Sequence, residues 1–262
     1  MSDTSPAPAA PVIEFLGVTK TFGDHTVYED MDLQVRRGET LTIIGGSGQG
    51  KSVCLKMMIG LLQADGGQVK VDGNVVGEQG PEGLRTIRQR VAYVFQGGAL
   101  FDSMTVLDNI GYALREHTDM GDEAIYDKAR ACVEMVGLPE RVLQSLPASL
   151  SGGMRKRVAL ARSIAIEPEV ILYDEPTTGL DPKNINRISA MIMKLQRELD
   201  VTSVVVTHDM PTARKVSDRI AMLYEKQFPF VGSAEEMWHS PKREVRDFIH
   251  GTLREAEARH GA

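Results

Sequence analysis

A single octapeptide decides the fold of this chain: Gly45-Gly46-Ser47-Gly48-Gln49-Gly50-Lys51-Ser52. It matches the pattern G-x-x-x-x-G-K-[ST], follows an apolar strand at residues 41–44, and precedes a helix predicted over residues 51–62. In that context backbone N–H groups converge on a phosphate, Lys51 places its charge beside the β and γ phosphates, and the Ser52 hydroxyl can bind Mg²⁺. The alternative, a plain glycine-rich turn, leaves the Lys-Ser pair in this register unexplained.

Composition and charge restrict the class of protein. The 262 residues carry 30 Lys and Arg against 36 Asp and Glu, a formal charge of −6, so extended nucleic acid is disfavoured as a partner. No apolar run approaches the roughly 18 residues that cross a bilayer, and the first eleven residues lack the features of a secretory signal. The two cysteines, Cys54 and Cys132, suit a reducing cytoplasm and supply neither a disulfide framework nor a metal set.

Strand and helix patterns alternate after a loose tail that is rich in Ser, Pro and Ala, expected at residues 1–11. We predict strands at residues 12–18, 27–35, 39–44, 68–72, 91–95, 170–173, 201–207 and 219–224. We predict helices at residues 51–62, 151–166 and 182–199, and two inserted helices that begin after Thr105 and at Asp122, the second closed by Gly137. This alternation predicts an α/β fold with a mainly parallel sheet, whose ligand lies at the carboxyl ends of the strands.

Two acids end the predicted buried strand at residues 170–173. Adjacent side chains at a strand end point in different directions, so we expect Asp174 to face Mg²⁺, usually through water. We expect Glu175 to face the water that attacks the γ-phosphate. The alternative is that acids end the strand because the next turn is solvated.

Two further polar residues also follow strands. His208, after residues 201–207, can hydrogen-bond the γ-phosphate or hold the attacking water in line. The amide of Gln96, after residues 91–95, can reach Mg²⁺ or water without adding charge. A structural hydrogen-bond donor at His208 is the alternative, and Gln96 carries almost no signal by itself.

A second anion-binding helix start is predicted at Leu150-Ser151-Gly152-Gly153-Met154. Ser151 stands at the cap position of the helix predicted over residues 151–166, and the two glycines expose backbone N–H groups. A simple helix cap is the alternative. One chain therefore offers two phosphate-binding helix starts, separated by the helical insertion.

The order of these elements resembles that of the nucleotide-binding subunits of ABC transporters. Residues 45–52 match Walker A, Gln96 the Q-loop, residues 150–154 the signature, residues 170–175 Walker B, Gly179-Leu180-Asp181 the D-loop, and His208 the switch histidine. The resemblance implies a P-loop NTPase domain over residues 12–240. It also implies an antiparallel β edge subdomain and a helical subdomain at about residues 97–165.

The same resemblance implies how ATP and Mg²⁺ are held. Two copies of the chain pair head to tail, and each ATP lies between the Walker A of one copy and Ser151, Gly152 and Gly153 of the other, near Asp181. Phe22 stands where the family places the aromatic ring that stacks on adenine, which positions the base without choosing it strongly. The alternative is that Phe22 is a core residue at a strand edge.

One departure from the family points to a subfamily. Met154 stands where the signature usually ends in Gln, so the amide is lost while the Ser and Gly donors remain. Leu-Ser-Gly-Gly-Met, with the segments at residues 95–101, 113–118 and 245–251, resembles the ATPases of Mla-type phospholipid transport systems, which maintain outer-membrane lipid asymmetry in Gram-negative bacteria. That resemblance implies partners in a membrane permease, a STAS-domain protein and a lipid-binding protein of the periplasmic side. It also implies a location on the cytoplasmic face of the inner membrane.

Two segments are candidate contact surfaces. Ala99, Leu100 and Phe101 are an apolar anchor for a cytoplasmic helix of the permease, or else internal core. The tail at residues 241–262 carries apolar residues at helical spacing, and we expect its helix to lie on a neighbouring subunit.

Two rival functions remain open on the sequence alone. The first is a transporter of the same type that carries an amino acid or another small polar solute. The second is an ATP-driven clamp on ribosomes or DNA, although such proteins usually carry paired cassettes or long coiled-coil insertions, and this chain has neither.

Overall fold

The computed structural model describes residues 11–250, in which ten strands form two sheets. The strands are β1 (Pro11–Phe22), β2 (His25–Arg36), β3 (Thr40–Gly45), β4 (Gly66–Val71), β5 (Asn74–Val75), β6 (Val91–Val94), β7 (Val170–Asp174), β8 (Thr202–Val206), β9 (Arg219–Tyr224) and β10 (Gln227–Gly232). One sheet has the order β2-β1-β4-β5 and is antiparallel, and the other has the order β10-β9-β3-β8-β7-β6. The second sheet is parallel except for the β9–β10 pair, so the predicted α/β fold with an antiparallel edge sheet is confirmed.

Nine helices accompany the sheets in the same range. They are α1 (Lys51–Met58), α2 (Pro81–Arg90), α3 (Val106–His117), α4 (Asp122–Met135), α5 (Gly152–Ile164), α6 (Pro182–Leu199), α7 (Met210–Val216), α8 (Ala234–Trp238) and α9 (Arg243–Ile249). Short 3₁₀ turns lie at Val76–Glu78, Glu140–Gln144 and Pro147–Ser149. Across residues 11–250, no helix combines the length and the apolar character that a membrane crossing requires.

The central strands β3, β7 and β8 are buried along their whole length because both faces of the parallel sheet are covered. Alternate side chains go to opposite faces, as strand geometry requires. Leu172 packs in a core shared with the antiparallel sheet and α1, whereas Tyr173 packs in a second core with the inserted helices, α5 and α6. The parallel sheet therefore fixes the position of every loop at its carboxyl edge.

Several boundaries differ from the predictions for identifiable reasons. Helix α1 ends at Met58 rather than near residue 62, because Gly60 adopts φ +65° and the amides of Leu61 and Leu62 bond back to the Lys56 carbonyl. The β9–β10 hairpin was not predicted. Its turn residues Glu225 and Lys226 both have positive φ, although neither is a residue that favours that conformation.

Only part of the predicted helical tail is described. Residues 251–262 lie outside the described range, as does the predicted loose segment up to residue 10. The described helix α9 packs on its own chain, where Val245 is fully buried in a cluster with Ile44, Ile220, Met222 and Met237. Contact of the tail with a neighbouring subunit stays a prediction.

A substitution that creates a cavity in the second core shows how much the packing there contributes to the stability of the fold. We expect Leu195→Ala to lower the free energy of unfolding by about 2–5 kcal/mol, because Leu195 is fully buried between α6 and the sheet. Chemical denaturation measures the change, and Glu198→Ala, on the exposed face of the same helix, is expected to change it by less than about 0.5 kcal/mol. An equal effect of the two substitutions would contradict this packing.

Candidate functional site

The loop between β3 and α1 packs tightly against side chains of β2. Gly50, at the N-cap of α1, has φ +97°, and a Cβ atom there would lie 2.2 Å from Val27 Cγ1. The Tyr28 hydroxyl donates to the Gly50 carbonyl from beneath the loop, and the Cys54 thiol donates to Tyr28 Oη at 3.1 Å. Burial raises the pKa of Cys54 to about 12, so the thiol stays protonated and serves as a donor.

Lys51 folds back over its own loop. Its Nζ donates to the carbonyls of Gly45 and Gly46 at 3.0 and 2.9 Å, and lies 3.9 Å from Glu175 Oε1. Burial lowers the pKa of the Lys51 ammonium, and the carboxylates of Glu175 and Asp174 partly offset that shift. The ammonium is thus held, largely desolvated, beside the helix start where a phosphate would bind.

Ser52 and Asp174 lie together on the floor of the site. The Ser52 hydroxyl donates to Asp174 Oδ1 at 2.6 Å, and the Tyr93 hydroxyl donates to Asp174 Oδ2 at 2.8 Å. Burial, followed by the Asp174 charge, raises the pKa of Tyr93, so the phenol remains a donor. Both oxygens of the carboxylate are therefore oriented.

The second acid of the strand end faces the histidine. His208 Nδ1 lies 2.9 Å from Glu175 Oε2 and 3.0 Å from Oε1, and Thr178 Oγ1 donates to Glu175 Oε2 at 3.0 Å. Glu175 is nearly buried, whereas the His208 side chain is 54% exposed. The mostly buried Glu175 carboxylate therefore contacts a His208 imidazole that is largely exposed to solvent.

One cavity of about 750 Å³ connects Lys51, Ser52, Glu175 and His208, whereas Asp174 does not line it and is linked to it through its hydrogen bond with Ser52. The predicted residues that line it are Gly45, Gly46, Ser47, Gly48, Gln49, Gly50, Lys51, Ser52, Gln96, Glu175 and His208. The volume lies in the range of small-molecule sites. The strand-end residues that were predicted separately therefore converge on a single site.

The other predicted residues lie elsewhere on the chain. Ser151 caps α5 by accepting from the Met154 amide at 3.3 Å, and Asp181 caps α6 by accepting from the Asn184 amide at 3.0 Å. Within the described range, neither these caps nor Gly152 and Gly153 line the cavity, and Phe22 does not line it either. The chain carries two helix starts suited to anions, and only one of them opens into this cavity.

Phe22 ends β1 with its ring 44% exposed, so the alternative of a strand-edge core residue is wrong. Lys20 Nζ lies 5.1 Å from the ring centroid. Its ring is free to stack on a flat ligand.

Sequence reasoning missed several residues of the site. Tyr93 orients Asp174, Tyr28 supports the loop, and Met210, Phe248 and Ile249 line the cavity. For Tyr93 a signal existed, because it lies in the strand that pairs with β7 and carries a hydroxyl in an otherwise apolar run. No local signal places Phe248 and Ile249, because they reach the cavity only through the packing of α9.

The donor set suits a hard cation that is shared with a ligand. Ser52 Oγ and Asp174 Oδ1 are adjacent oxygen donors, and among residues 11–250 no group of three or more His, Cys, Asp or Glu side chains could hold a metal ion. Mg²⁺ is usually bound by one or two carboxylates together with substrate phosphates, which this arrangement matches.

Comparisons with known proteins agree with this site. The model of the family described as "ABC transporter" matches residues 28–178. The intermembrane phospholipid transport system ATP-binding protein MlaF of Escherichia coli K12 is 36% identical, over 92% of this chain and 90% of that protein. The probable ribonucleotide transport ATP-binding protein mkl of Mycobacterium leprae is 39% identical, over 93% of this chain and 70% of that protein.

A solved structure shares the fold as well as the sequence. The dimer of the ATP-binding cassette MJ0796 in a post-hydrolysis state, bound to ADP and Pi, matches with a TM-score of 0.78 and 32% identity. The match covers 84% of this chain and 98% of that chain. The site geometry, the family match and these relatives lead to one conclusion: the chain belongs to the ABC transporter family and is an ATP-binding cassette ATPase.

Proposed function

We propose that this chain is the ATP-hydrolysing subunit of a membrane transporter that moves phospholipids between the inner and outer membranes and so maintains outer-membrane lipid asymmetry. The observation that carries the ATPase role is the convergence of Lys51, the Ser52–Asp174 pair and the Glu175–His208 pair on one cavity. Phosphate binding needs the first two groups, and hydrolysis needs the third.

The hydrolytic step follows from the acid pair. Glu175 accepts a proton from the water that attacks the γ-phosphate, and His208, half-exposed beside it, contacts the γ-phosphate oxygens. Lys51 exchanges the loop carbonyls for phosphate oxygens and offsets their charge. Ser52, Asp174 and Gln96 would hold Mg²⁺, which would supply positive charge to offset that of the phosphates.

The complete site needs a second copy of the chain. Ser151, Gly152 and Gly153, at the start of α5, do not line the cavity of their own chain, and a solved relative is a dimer bound to ADP and Pi. In the proposed dimer each ATP is covered by the α5 start of the other copy, near its Asp181, and Phe22 stacks on the adenine. Association costs about 4–15 kcal/mol in lost freedom, which ATP offsets by bonding to both helix starts at once.

The cargo is proposed from the relatives. The phospholipid transport protein matches this chain over 90% of its own length, whereas the ribonucleotide transport protein matches over 70%, so about 30% of the latter has no counterpart here. Leu-Ser-Gly-Gly-Met in the signature supports the same choice. The ribonucleotide transport protein would suit the polar-solute alternative, but it is the relative that this chain covers less completely. The nucleic-acid clamp gains no support from these relatives.

The proposed partners are a membrane permease, a STAS-domain protein and a lipid-binding protein of the periplasmic side. The permease would hold the chain at the cytoplasmic face of the inner membrane. Phe101 is 43% exposed and rests on Tyr112 at 5.0 Å between ring centroids, which favours a docking role over a core role. Leu100, by contrast, packs partly into the second core.

Glu175→Gln tests the proposed base. We expect turnover to fall by about 100-fold or more while ATP still binds, because the amide cannot take the proton from water but keeps the shape of the side chain. Phosphate release and equilibrium nucleotide binding measure the two effects. Glu134→Gln, on the exposed face of α4, is the control, and near-normal phosphate release from Glu175→Gln would mean that another base acts.

Lys51→Ala tests the phosphate loop. We expect ATP affinity to fall roughly 10–100-fold, because hydrogen bonds to a charged group contribute about 1.5–3 kcal/mol. Lys56→Ala removes a lysine from the same helix outside the cavity and serves as the control. Unchanged nucleotide affinity in Lys51→Ala would contradict the proposed binding mode.

Reconstitution tests the cargo. The complex purified from its membrane with this chain, placed in proteoliposomes, is expected to move labelled phospholipid in an ATP-dependent manner, and the Glu175→Gln complex is expected not to. ATP-dependent uptake of a ribonucleotide or amino acid without lipid movement would contradict the phospholipid assignment. Recovery of nucleic acid without a permease would contradict the transporter itself.

A further inference from the structure

Lys156 makes an unusual set of contacts for a lysine on a helix surface. Its Nζ donates to the carbonyls of Pro176 and Thr178 at 2.9 and 2.8 Å, and to that of Glu175 at 3.5 Å, the weakest of the three. An ammonium has three donors, so all of them are used on one turn. Within residues 11–250, no carboxylate forms a salt bridge with this ammonium, so its direct hydrogen-bond partners are backbone carbonyls.

The turn that Lys156 contacts includes Glu175, the proposed base for hydrolysis. Glu175 has φ +48°, a conformation that residues other than glycine seldom adopt and that persists only where the surroundings impose it. The Glu175 amide bonds to the Val206 carbonyl at 2.9 Å, and the Thr178 hydroxyl bonds to the Glu175 carboxylate. Lys156 thus fixes the carbonyl side of a turn whose amide and side-chain ends are already held.

The neighbours of Lys156 on the helix do something different. Arg155 donates to the Leu150 carbonyl at 2.6 Å, just before its own helix, and Arg157 donates to the Gly137 carbonyl at 2.8 Å, just after α4. Lys156 alone of these three cations reaches the turn after β7. Burial lowers the pKa of Lys156, and the Glu175 charge partly offsets this shift, which places the ammonium in the electrostatic environment of that acid.

We propose that Lys156 is a positioning residue for ATP hydrolysis, holding the Glu175–Thr178 turn, and so the direction of the Glu175 carboxylate, from the helix that begins at the signature. The inference rests on the proposed role of Glu175 as base. In the proposed dimer the start of α5 contacts the ATP bound by the partner, while Glu175 serves the ATP of its own chain. Lys156 therefore links the two nucleotide sites through one helix.

Lys156→Met keeps the unbranched side chain and removes every donor. We expect kcat of the full-length protein in its complex to fall about 10–100-fold, the effect of a misplaced reacting group, with KM for ATP unchanged. Lys156→Gln, which retains N–H donors, is expected to recover part of the loss. Lys194→Met removes a partly exposed lysine that also donates to a backbone carbonyl, and it serves as the matched control.

A double-mutant cycle separates positioning from stability. In a Glu175→Gln background, Lys156→Met is expected to cause no further loss of residual phosphate release, because the carboxylate that it positions is absent. An equal fractional loss in both backgrounds, or a raised KM with unchanged kcat, would overturn the proposal. If Lys156→Met does not fold, as thermal unfolding would reveal, Lys156→Gln carries the same cycle.

The cycle also distinguishes this proposal from the function on which it rests. Loss of turnover in Glu175→Gln alone supports the base whatever Lys156 does. Retained turnover in Glu175→Gln would contradict both the role of Glu175 as base and the positioning role of Lys156. A purely additive cycle would contradict only the role of Lys156.

Discussion

The close contact between β2 and the loop that precedes α1 is the constraint on which the rest of the site depends. Val27 and Tyr28 lie so near Gly50 that a side chain would not fit there, and the Tyr28 hydroxyl bonds to the Gly50 carbonyl. The antiparallel sheet therefore supports the start of α1 directly. Because β2 belongs to a different sheet from β3, the loop is fixed from both sides, and its amides are arranged before any phosphate arrives.

The same fold separates the two helix starts that suit an anion. One opens into the cavity beside Lys51, and the other, at Ser151, begins α5 and does not line that cavity. A site that needs both must be assembled from two chains, which makes association depend on nucleotide. The contacts of Lys156 join the helix that begins at Ser151 to the Glu175 turn. In the proposed dimer they connect one nucleotide site with the acid of the other.

Much of this arrangement could be predicted from sequence because local patterns carry it. Buried apolar runs ending in polar residues identified β3, β7 and β8 with Lys51, Glu175 and His208, since parallel strands end at one edge. Long-range packing carries no such local signal. The place of α9 against the cavity and the support from Tyr28 depend on which surfaces meet, and the Glu225–Lys226 turn lacks the residues that favour its backbone. The helix start at Ser151 could be predicted from its local cap pattern, whereas its proposed role in a dimer rests on resemblance.

In the proposed mechanism, nucleotide is held between two copies of this chain. Sedimentation velocity of the Glu175→Gln protein, with and without ATP, tests this arrangement. We expect a species of one-chain mass without ATP, a species of twice that mass with ATP, and loss of the larger species when Ser151→Arg is added. A protein that stays at one-chain mass with ATP bound, while the unmodified chain hydrolyses ATP at its full rate as a single molecule, would contradict it.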